Sequence, residues 1–255
     1  WLTETDIENS DATVRARVIP LQTWLDDVEV SAGTLILIRD LTELRDRDRQ
    51  LVTKDATIRE IHHRVKNNLQ TVAALLRLQS RRMSNSDAKD ALKQAMGRVS
   101  AIAVVHEILS QNFEEQVAFD EVADRILHMV GDVAASSGSV VARREGSFGE
   151  VPAETATALS LATTELCQNA IEHSLDSSSG NVIVRPHRTD DALVVDIVSD
   201  GKPLPEGFSL DNHRSSLGLS IVTTLMQDLG GTFTLEDNSD RVGTCARLVI
   251  PLQRL

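Results

Sequence analysis

Cysteine is scarce in this chain of 255 residues: only Cys167 and Cys245 occur, far apart and in apolar surroundings. That argues against a disulfide or metal framework and predicts buried free thiols in a reducing compartment. Long apolar runs are also missing. The longest near the N-terminus, Leu35–Ile38, is far short of the ~20 residues that span a bilayer. No segment reads as a signal peptide, so a cytoplasmic location is expected. Positive charge is in deficit, with 26 Lys and Arg against 38 Asp and Glu and a net charge of −12. This speaks against a nucleic-acid-binding surface but leaves room for a small basic pocket. Finally, neither proline nor glycine occurs between Gly33 and Gly97, so nothing there breaks a helix. The chain opens at Trp1 rather than Met, as expected of a piece of something longer.

Within that uninterrupted stretch lies Glu60-Ile61-His62-His63-Arg64-Val65-Lys66-Asn67-Asn68-Leu69-Gln70. On a helix, Ile58, Ile61, Val65, Leu69, Val72 and Leu76 form one narrow apolar seam. Helical geometry puts His62 about 50° from the seam and His63 about 150° from it. Glu60, His63, Asn67 and Gln70 share the outward face. The seam suits a partner helix and the outward imidazole suits a chemical partner. Two unreactive surface histidines are the plain alternative.

Residues 1–40 read as strands, with period-two alternation over Thr13–Ile19 and a second β-rich run over Thr34–Asp40. Two or three strands do not make a stable domain, so they read as the tail of one. The following Asp40-Leu41-Thr42-Glu43 resembles the D-x-T-E exit of PAS sensor domains, where Asp and Thr tie the last strand to the outgoing helix. A simple N-cap is a compatible reading. From Leu41 to about Met83 the sequence is helical. Ser84–Asp87 is a turn, with Ser86 or Asp87 as N-cap, and a second helix runs from about Ala88 to Leu109. Two antiparallel helices bury too little alone, which predicts a dimeric four-helix bundle.

The remainder predicts helices over Phe119–Ser136, Pro152–Leu175 and Ser216–Leu229. The first carries Val122, Ile126, Met129 and Val133 in register. Strands are predicted over Ser139–Arg144, Asn181–Pro186, Ala192–Val198, Thr232–Glu236 and Thr244–Pro251. The expected fold class is therefore multidomain, α and α+β. Residues 1–40 are a partial sensor domain. Residues 41–112 are a signalling helix and helical hairpin. Residues 113–255 are an α/β sandwich with helices on one sheet face.

Three pieces of that last part carry chemistry. In the long helix, Glu165, Asn169 and Glu172/His173 make one polar stripe on an otherwise apolar surface. An amide oxygen there suits Mg²⁺ beside phosphate, although a core hydrogen bond would also explain Asn169. Val198-Ser199-Asp200-Gly201-Lys202-Pro203 follows a strand. A carboxylate there can accept an adenine amino group, and Gly201 lets the backbone approach the base. Then Ser215-Ser216-Leu217-Gly218-Leu219-Ser220 opens a helix whose glycine permits close approach of phosphate to free N–H groups. Each piece is ordinary alone; the order and spacing of all three are not.

This order resembles the Bergerat (GHKL) ATP-binding domain. The His-Arg-x-Lys-Asn helix resembles the second HisKA subfamily of sensor histidine kinases, related to the HWE kinases. Asp40–Arg82 and the C-terminal Gly-Thr strand resemble the PdtaS-type group of actinobacteria. The resemblance covers nearly the whole chain, with the PAS part incomplete.

It implies ATP and Mg²⁺ as cofactors, a homodimer, and phosphotransfer to an Asp of a response regulator, one with an RNA-binding antiterminator (ANTAR) output in PdtaS-type systems. By the same resemblance His63 is the phosphoacceptor, with His62 the alternative. Asn169 binds Mg²⁺, Glu165 orients or deprotonates, and Asn67 positions water for regulator dephosphorylation. His173, Asp200, Gly201, Gly218, Leu219 and Thr244 contact the nucleotide. Pro205–Ser215 would be a mobile lid, with Lys202, His213 or Arg214 reaching phosphate. Two departures stand out. Aligned strictly, Ser199 replaces the family's adenine-binding Asp and Pro203 its second glycine; shifted by one, Asp200 takes the adenine role. Arg64 follows His63 where many kinases have an acid, leaving Glu60 as a candidate partner for His63. The alternatives are a degenerate ATP-binding scaffold without kinase activity, or a GHKL ATPase or serine/threonine kinase acting on another protein.

Overall fold

A computed structural model describes residues 3–9, 12–25, 28–111, 116–135, 140–175, 179–210, 217–239 and 242–252. The chain divides into two compact units, Trp1–Ile58 and Arg59–Leu255. The division falls inside a helix, because the part of that helix beyond Ile58 is held by the second unit.

In the first unit, β1 (Thr3–Glu8), β2 (Thr13–Leu25) and β3 (Val28–Asp40) form an antiparallel sheet. Its exit is fixed by Asp40, whose Oδ1 accepts from the Thr42 N–H at 2.8 Å and the Thr42 hydroxyl at 2.6 Å. Those bonds hold the Asp40 carboxyl below the usual carboxylate range. Thr42 Oγ1 in turn accepts from the Thr13 N–H. The D-x-T motif thus stitches strand, helix start and neighbouring strand together, as its residue types allow.

Helix α1 (Thr42–Arg82) continues into the second unit, and a three-residue turn leads to α2 (Ser86–Gln111). The cap of α2 is Asn85, not Ser86 or Asp87. Its Oδ1 accepts from the N–H groups of Asp87 and Ala88 at 2.8 and 3.2 Å. Asn places an acceptor on the first turn as well as Ser does; the Ser86 hydroxyl turns instead to Asp87. Along α1, the seam side chains Ile58, Ile61 and Val72 are exposed in the single chain, Ile61 by 53%.

The rest of the second unit is a five-stranded mixed sheet beside helices. After β4 (Gln116–Ala118) come α3 (Phe119–Ala135), β5 (Val140–Arg144), β6 (Glu150–Pro152) and α4 (Ala153–Asn169). Next are a π-helical turn at Ala170–Ser174, β7 (Gly180–Arg188), β8 (Ala192–Ser199), α5 (Leu217–Asp228), β9 (Thr232–Asp237) and β10 (Thr244–Pro251). The sheet order is β5-β7-β8-β10-β9, with β5 parallel to β7 and the other pairs antiparallel. Helix α4 touches α2, α3 and α5 and supplies Leu159, Ala162 and Leu166 to the core. The expected 152–175 helix is therefore two pieces, because the Leu175 N–H reaches back five residues to the Ala170 carbonyl. The β4–β6 ladder was not expected; three-residue strands are too short to show a period. In α3, the Val133 side chain lies outside the described residues.

Strand parity sets the functional face. Leu193, Val195, Ile197 and Ser199 alternate as the buried row of β8, and Thr244, Ala246, Leu248 and Ile250 as that of β10. Burial pushes the Cys167 thiol up to about 12, so it stays protonated and unreactive. Cys245 falls on the other row of β10 and is only half-buried, which departs from the expected burial.

Exchange at the α2 cap is a direct test. Asn85→Ala should cost about 1 kcal/mol, the usual value of an N-cap, and Ser86→Ala almost nothing, measured as shifts in urea midpoint. An equal loss in both variants would contradict the cap assignment.

Candidate active site

Between α4, the π-helical turn and the sheet lies a cavity of about 530 Å³. Its walls include Leu166, Asn169 and His173 from the polar-striped helix, Ile197 from β8, and Thr244 and Ala246 from β10. Pro203, Leu204, Pro205 and Phe208 close another side, and Leu219 comes from the first turn of α5. The lining is mostly apolar with a few polar atoms, the usual make-up of a small-molecule site.

Several expected residues converge here. Asn169, His173, Leu219 and Thr244 line the cavity. Gly218 lies against the Asn169 stripe: a Cβ there would stand 2.7 Å from Glu165 Oε2 and 3.6 Å from Asn169 Nδ2. Gly201 lets the end of β8 press against the π-helical turn, since a Cβ would collide with the Ser174 carbonyl. That carbonyl accepts from the Lys202 N–H at 2.8 Å. Lys202 also lines the cavity. Pro205–Leu210 is the described part of the expected lid; His213, Arg214 and Ser215 lie outside the described residues.

Asp200 is not among the lining residues. Its carboxylate accepts from the Asn181 N–H at 2.7 Å and the Asn181 side-chain amide at 2.6 Å. Partial burial pushes its pKa up, and the Asn181 bonds more than offset that, leaving it below the usual range. Ser199 does not line the cavity either, but it lies beneath Ser174 and Thr244, which do. It is 1% exposed, and its Oγ lies 2.8 Å from Ser174 Oγ and 2.9 Å from Thr244 Oγ1. The cause is parity: Ser199 continues the inward row of Ile197, so its neighbour Asp200 turns outward.

Glu165 is buried and held by Arg98 of α2, which donates from Nε and Nη2 at 2.6 and 2.9 Å. The hydrogen bond to Glu165 raises the Arg98 pKa against a smaller effect of burial. One turn away, Gln94 Nε2 donates to Glu172 at 3.3 Å, and Gly97 lets α2 approach Gln168. The polar stripe of α4 is thus matched by Gln94, Gly97 and Arg98 on α2. Neither Arg98 nor Ser174 was anticipated. Arg98 carried one signal, a cation beside the apolar face of α2.

Asn169 Nδ2 is buried without a hydrogen-bond partner. Among the described residues no cluster of three or more His, Cys, Asp or Glu could hold a metal. The Asn169 N–H group suits a phosphate oxygen, and a cation here would be held by the Asn169 amide oxygen together with ligand oxygens, a donor set that fits Mg²⁺ with phosphate.

On the hairpin, His62 is half-buried and His63 exposed. His62 Nδ1 lies 3.0 Å from His106 Nδ1 of α2, so one ring must donate and the other accept. Burial, then the neighbouring His62, pushes the His106 pKa down. Lys66 pairs with Glu107 at 3.0 Å. Glu60 pairs with Arg64 at 2.7 Å rather than with His63. Asn67 is exposed one turn beyond His63. The cavity is lined entirely by residues beyond the hairpin.

Comparison with known proteins agrees with this geometry. Residues 60–134 match the HisKA_2 family, described as histidine kinase. Residues 154–254 match the histidine kinase-, DNA gyrase B- and HSP90-like ATPase family. The chain thus carries a HisKA_2-like segment followed by a segment like these ATPases. It is 48% identical to the sensor histidine kinase PdtaS of Mycobacterium tuberculosis, over 98% of this chain and 49% of that protein. To PdtaS of Mycolicibacterium smegmatis it is 45% identical over the same shares. It therefore spans about half the length of the curated relatives it matches. The solved histidine kinase domain of the Erythrobacter litoralis EL346 blue-light activated kinase superposes with a TM-score of 0.55 at 26% identity, covering 81% of this chain and 94% of that one. No described helix is long and apolar enough to cross a membrane.

Burial of His106, with His62 beside it, should make hairpin stability pH-dependent. A folded His106 pKa below the ordinary ~6.5 means the unfolded chain binds the proton more tightly. Stability is then full above that value and falls as pH drops through it toward the folded value. The thermal midpoint should decline more steeply from pH 7.5 to 5.5 in wild type than in His106→Gln. Parallel profiles would show that His106 contributes nothing to that dependence.

Proposed function

We propose that this chain is the kinase portion of a two-component sensor, which binds ATP with Mg²⁺ in the α4–sheet cavity and phosphorylates itself on His63. The observation that carries this reading is a cavity walled by Asn169, with Thr244 in its lining and Gly218 beside it, in a chain whose HisKA_2-matching helix exposes His63. Residues 1–40 are read as the C-terminal strands of a PAS domain, residues 41–112 as the dimerisation and phosphotransfer hairpin, and 113–255 as the ATP-binding domain. The exposed α1 seam supports a homodimeric four-helix bundle.

In this mechanism the neutral His63 Nε2 attacks the γ-phosphorus in line, the bond to the β,γ-bridging oxygen breaks, and ADP leaves. Mg²⁺, when held by Asn169 and phosphate oxygens, supplies charge neutralisation. The chain's own work is positioning. His63 must be brought to the cavity, and Glu165 acts as orienter or base only after Arg98 lets go of it. His62 serves packing through His106, which favours His63 as the acceptor. The phosphoryl group then passes to an Asp of a response regulator, and the likeness to PdtaS supports an ANTAR-type output on that partner. Asn67, one turn from His63, orients water for regulator dephosphorylation.

Incubation with γ-labelled ATP and Mg²⁺ tests the acceptor. Acid-labile, base-stable label is expected on wild type and on His62→Gln, and none on His63→Gln. Label retained by a folded His63→Gln would contradict the assignment, and acid-stable label would point to another kinase class. Absence of both label and nucleotide binding would favour a degenerate scaffold. For Asn67, the expected outcome is that Asn67→Ala still labels itself but loses most regulator phosphatase activity; unchanged phosphatase activity would remove that role.

A further inference from the structure

Contacts made by α2 fix two levels along it. At the upper level His106 meets His62 at 3.0 Å, next in sequence to the exposed His63. There α2 packs on α3. Glu107 accepts from Lys66 at 3.0 Å and lies 3.4 Å from Arg125, and Val105 and Ile108 join the core with Val122 and Ile126. At the lower level α2 packs on α4, through Arg98–Glu165, Gln94–Glu172 and Gly97 over Gln168. Arg98 precedes His106 by eight residues of one helix, about 12 Å along its axis. Glu165 in turn marks the α5 end of the site, since its Oε2 lies 2.7 Å from where a Gly218 Cβ would stand. The catalytic part is thus docked about two helical turns from the histidine layer, toward the Asn85 turn.

The docked arrangement is held by one charge pair and opposed by one unmet acceptor. In its favour, the buried Glu165 carboxylate receives two nitrogens of Arg98, at 2.6 and 2.9 Å. Against it, Gln168 Oε1 is buried with no hydrogen-bond partner, in the side chain that Gly97 covers. A buried acceptor left unmet is costly, and withdrawal of α2 would return it to water. Withdrawal would also free both Glu165 oxygens beside Gly218. Without Arg98 the docked state would hold an unpaired buried carboxylate, whereas the released state would solvate it. Arg98 therefore sets the balance between the two states.

We infer that the Arg98–Glu165 pair is an autoinhibitory latch. It holds the cavity at the wrong level of the hairpin for His63 and at the same time occupies the carboxylate beside the α5 N-terminus. The inference rests on the cavity being the nucleotide site, and Glu165 its orienter or base, as proposed above. The rate of self-phosphorylation is then scaled by the released fraction. Arg98, Glu165 and Gly97 all lie in the second unit, so the latch is complete without the strands of the first.

Initial rates of acid-labile labelling from saturating γ-labelled ATP and Mg²⁺ test this on the whole chain, with ATP affinity measured by calorimetry alongside. Arg98→Met should raise the rate about fivefold or more, because breaking a buried pair shifts the equilibrium strongly toward release. Damage to the fold would lower the rate instead, so a rise separates a latch from a structural role. Gly97→Leu is the second variant. Leucine favours a helix over glycine, but on the docked face even a Cβ would stand 2.5 Å from Gln168 Nε2. It should raise the rate in the same way. A rate unchanged or lowered in Arg98→Met that still folds and binds ATP would overturn the latch, whatever Gly97→Leu does. Should Arg98→Met not fold, Gly97→Leu decides by the same criterion. If wild type binds ATP without labelling itself, label must appear in the variants, and its absence from both overturns the inference. If no chain binds ATP, the nucleotide-site reading fails and the latch with it.

Discussion

A carboxylate as buried as Glu165 cannot stand alone, and much of the second unit follows from how its charge is met. Its side chain is 4% exposed. Leaving such a charge unpaired costs far more than the pair gains over a well-packed apolar alternative. The cation comes from α2, so a helix of the hairpin must lie against α4. Gly97 leaves room for the end of the Gln168 side chain, and Gln94 meets Glu172 one turn away. The stripe that serves a nucleotide in the proposed function is thus, in this arrangement, the surface on which the hairpin docks. One carboxylate cannot serve both at once, so the Arg98–Glu165 pair and catalysis through Glu165 compete for the same oxygens.

The second constraint is the two-residue period of β8 and β10. Their inward rows end in Ser199 and begin with Thr244, so the polar ends of two apolar rows meet at the cavity floor. Gly243 lies where a Cβ would strike the Ser199 backbone, with φ 136. That conformation favours glycine, and it lets β10 begin close enough for Thr244 to reach Ser199.

These two constraints explain what was legible in the sequence. The seam of α1 separated His62 from His63 correctly, because helical phase is a local property. The cavity was also largely legible: Asn169, His173, Leu219 and Thr244 sit on elements whose phase and ends are marked by local residues. The orientation of Ser199 and Asp200 was legible as well, in the alternation of Leu193, Val195 and Ile197 counted through to the end of the strand. Arg98 was a different case. Nothing local to α2 says which helix will face it, and its partner lies 67 residues on. Asn85 was missed because three adjacent residues, Asn85, Ser86 and Asp87, all cap well.

The turn after Asn169 was unreadable for a related reason, and it shapes the floor. A continuous α-helix would have kept Ser174 in the phase of α4. The five-residue bond from Leu175 to Ala170 widens the last turn instead. Ser174 then receives the Lys202 N–H on its carbonyl, approaches Gly201, and sets its hydroxyl against Ser199. Those contacts come from β8 and the segment after it, not from the helix. The widened turn is therefore imposed by the sheet, and the polar chemistry of the floor is a tertiary product. Such turns cluster at functional sites because a helix gives up its regular bonds only where another element replaces them. Here the replacement is specific: one N–H, one absent Cβ and one hydroxyl.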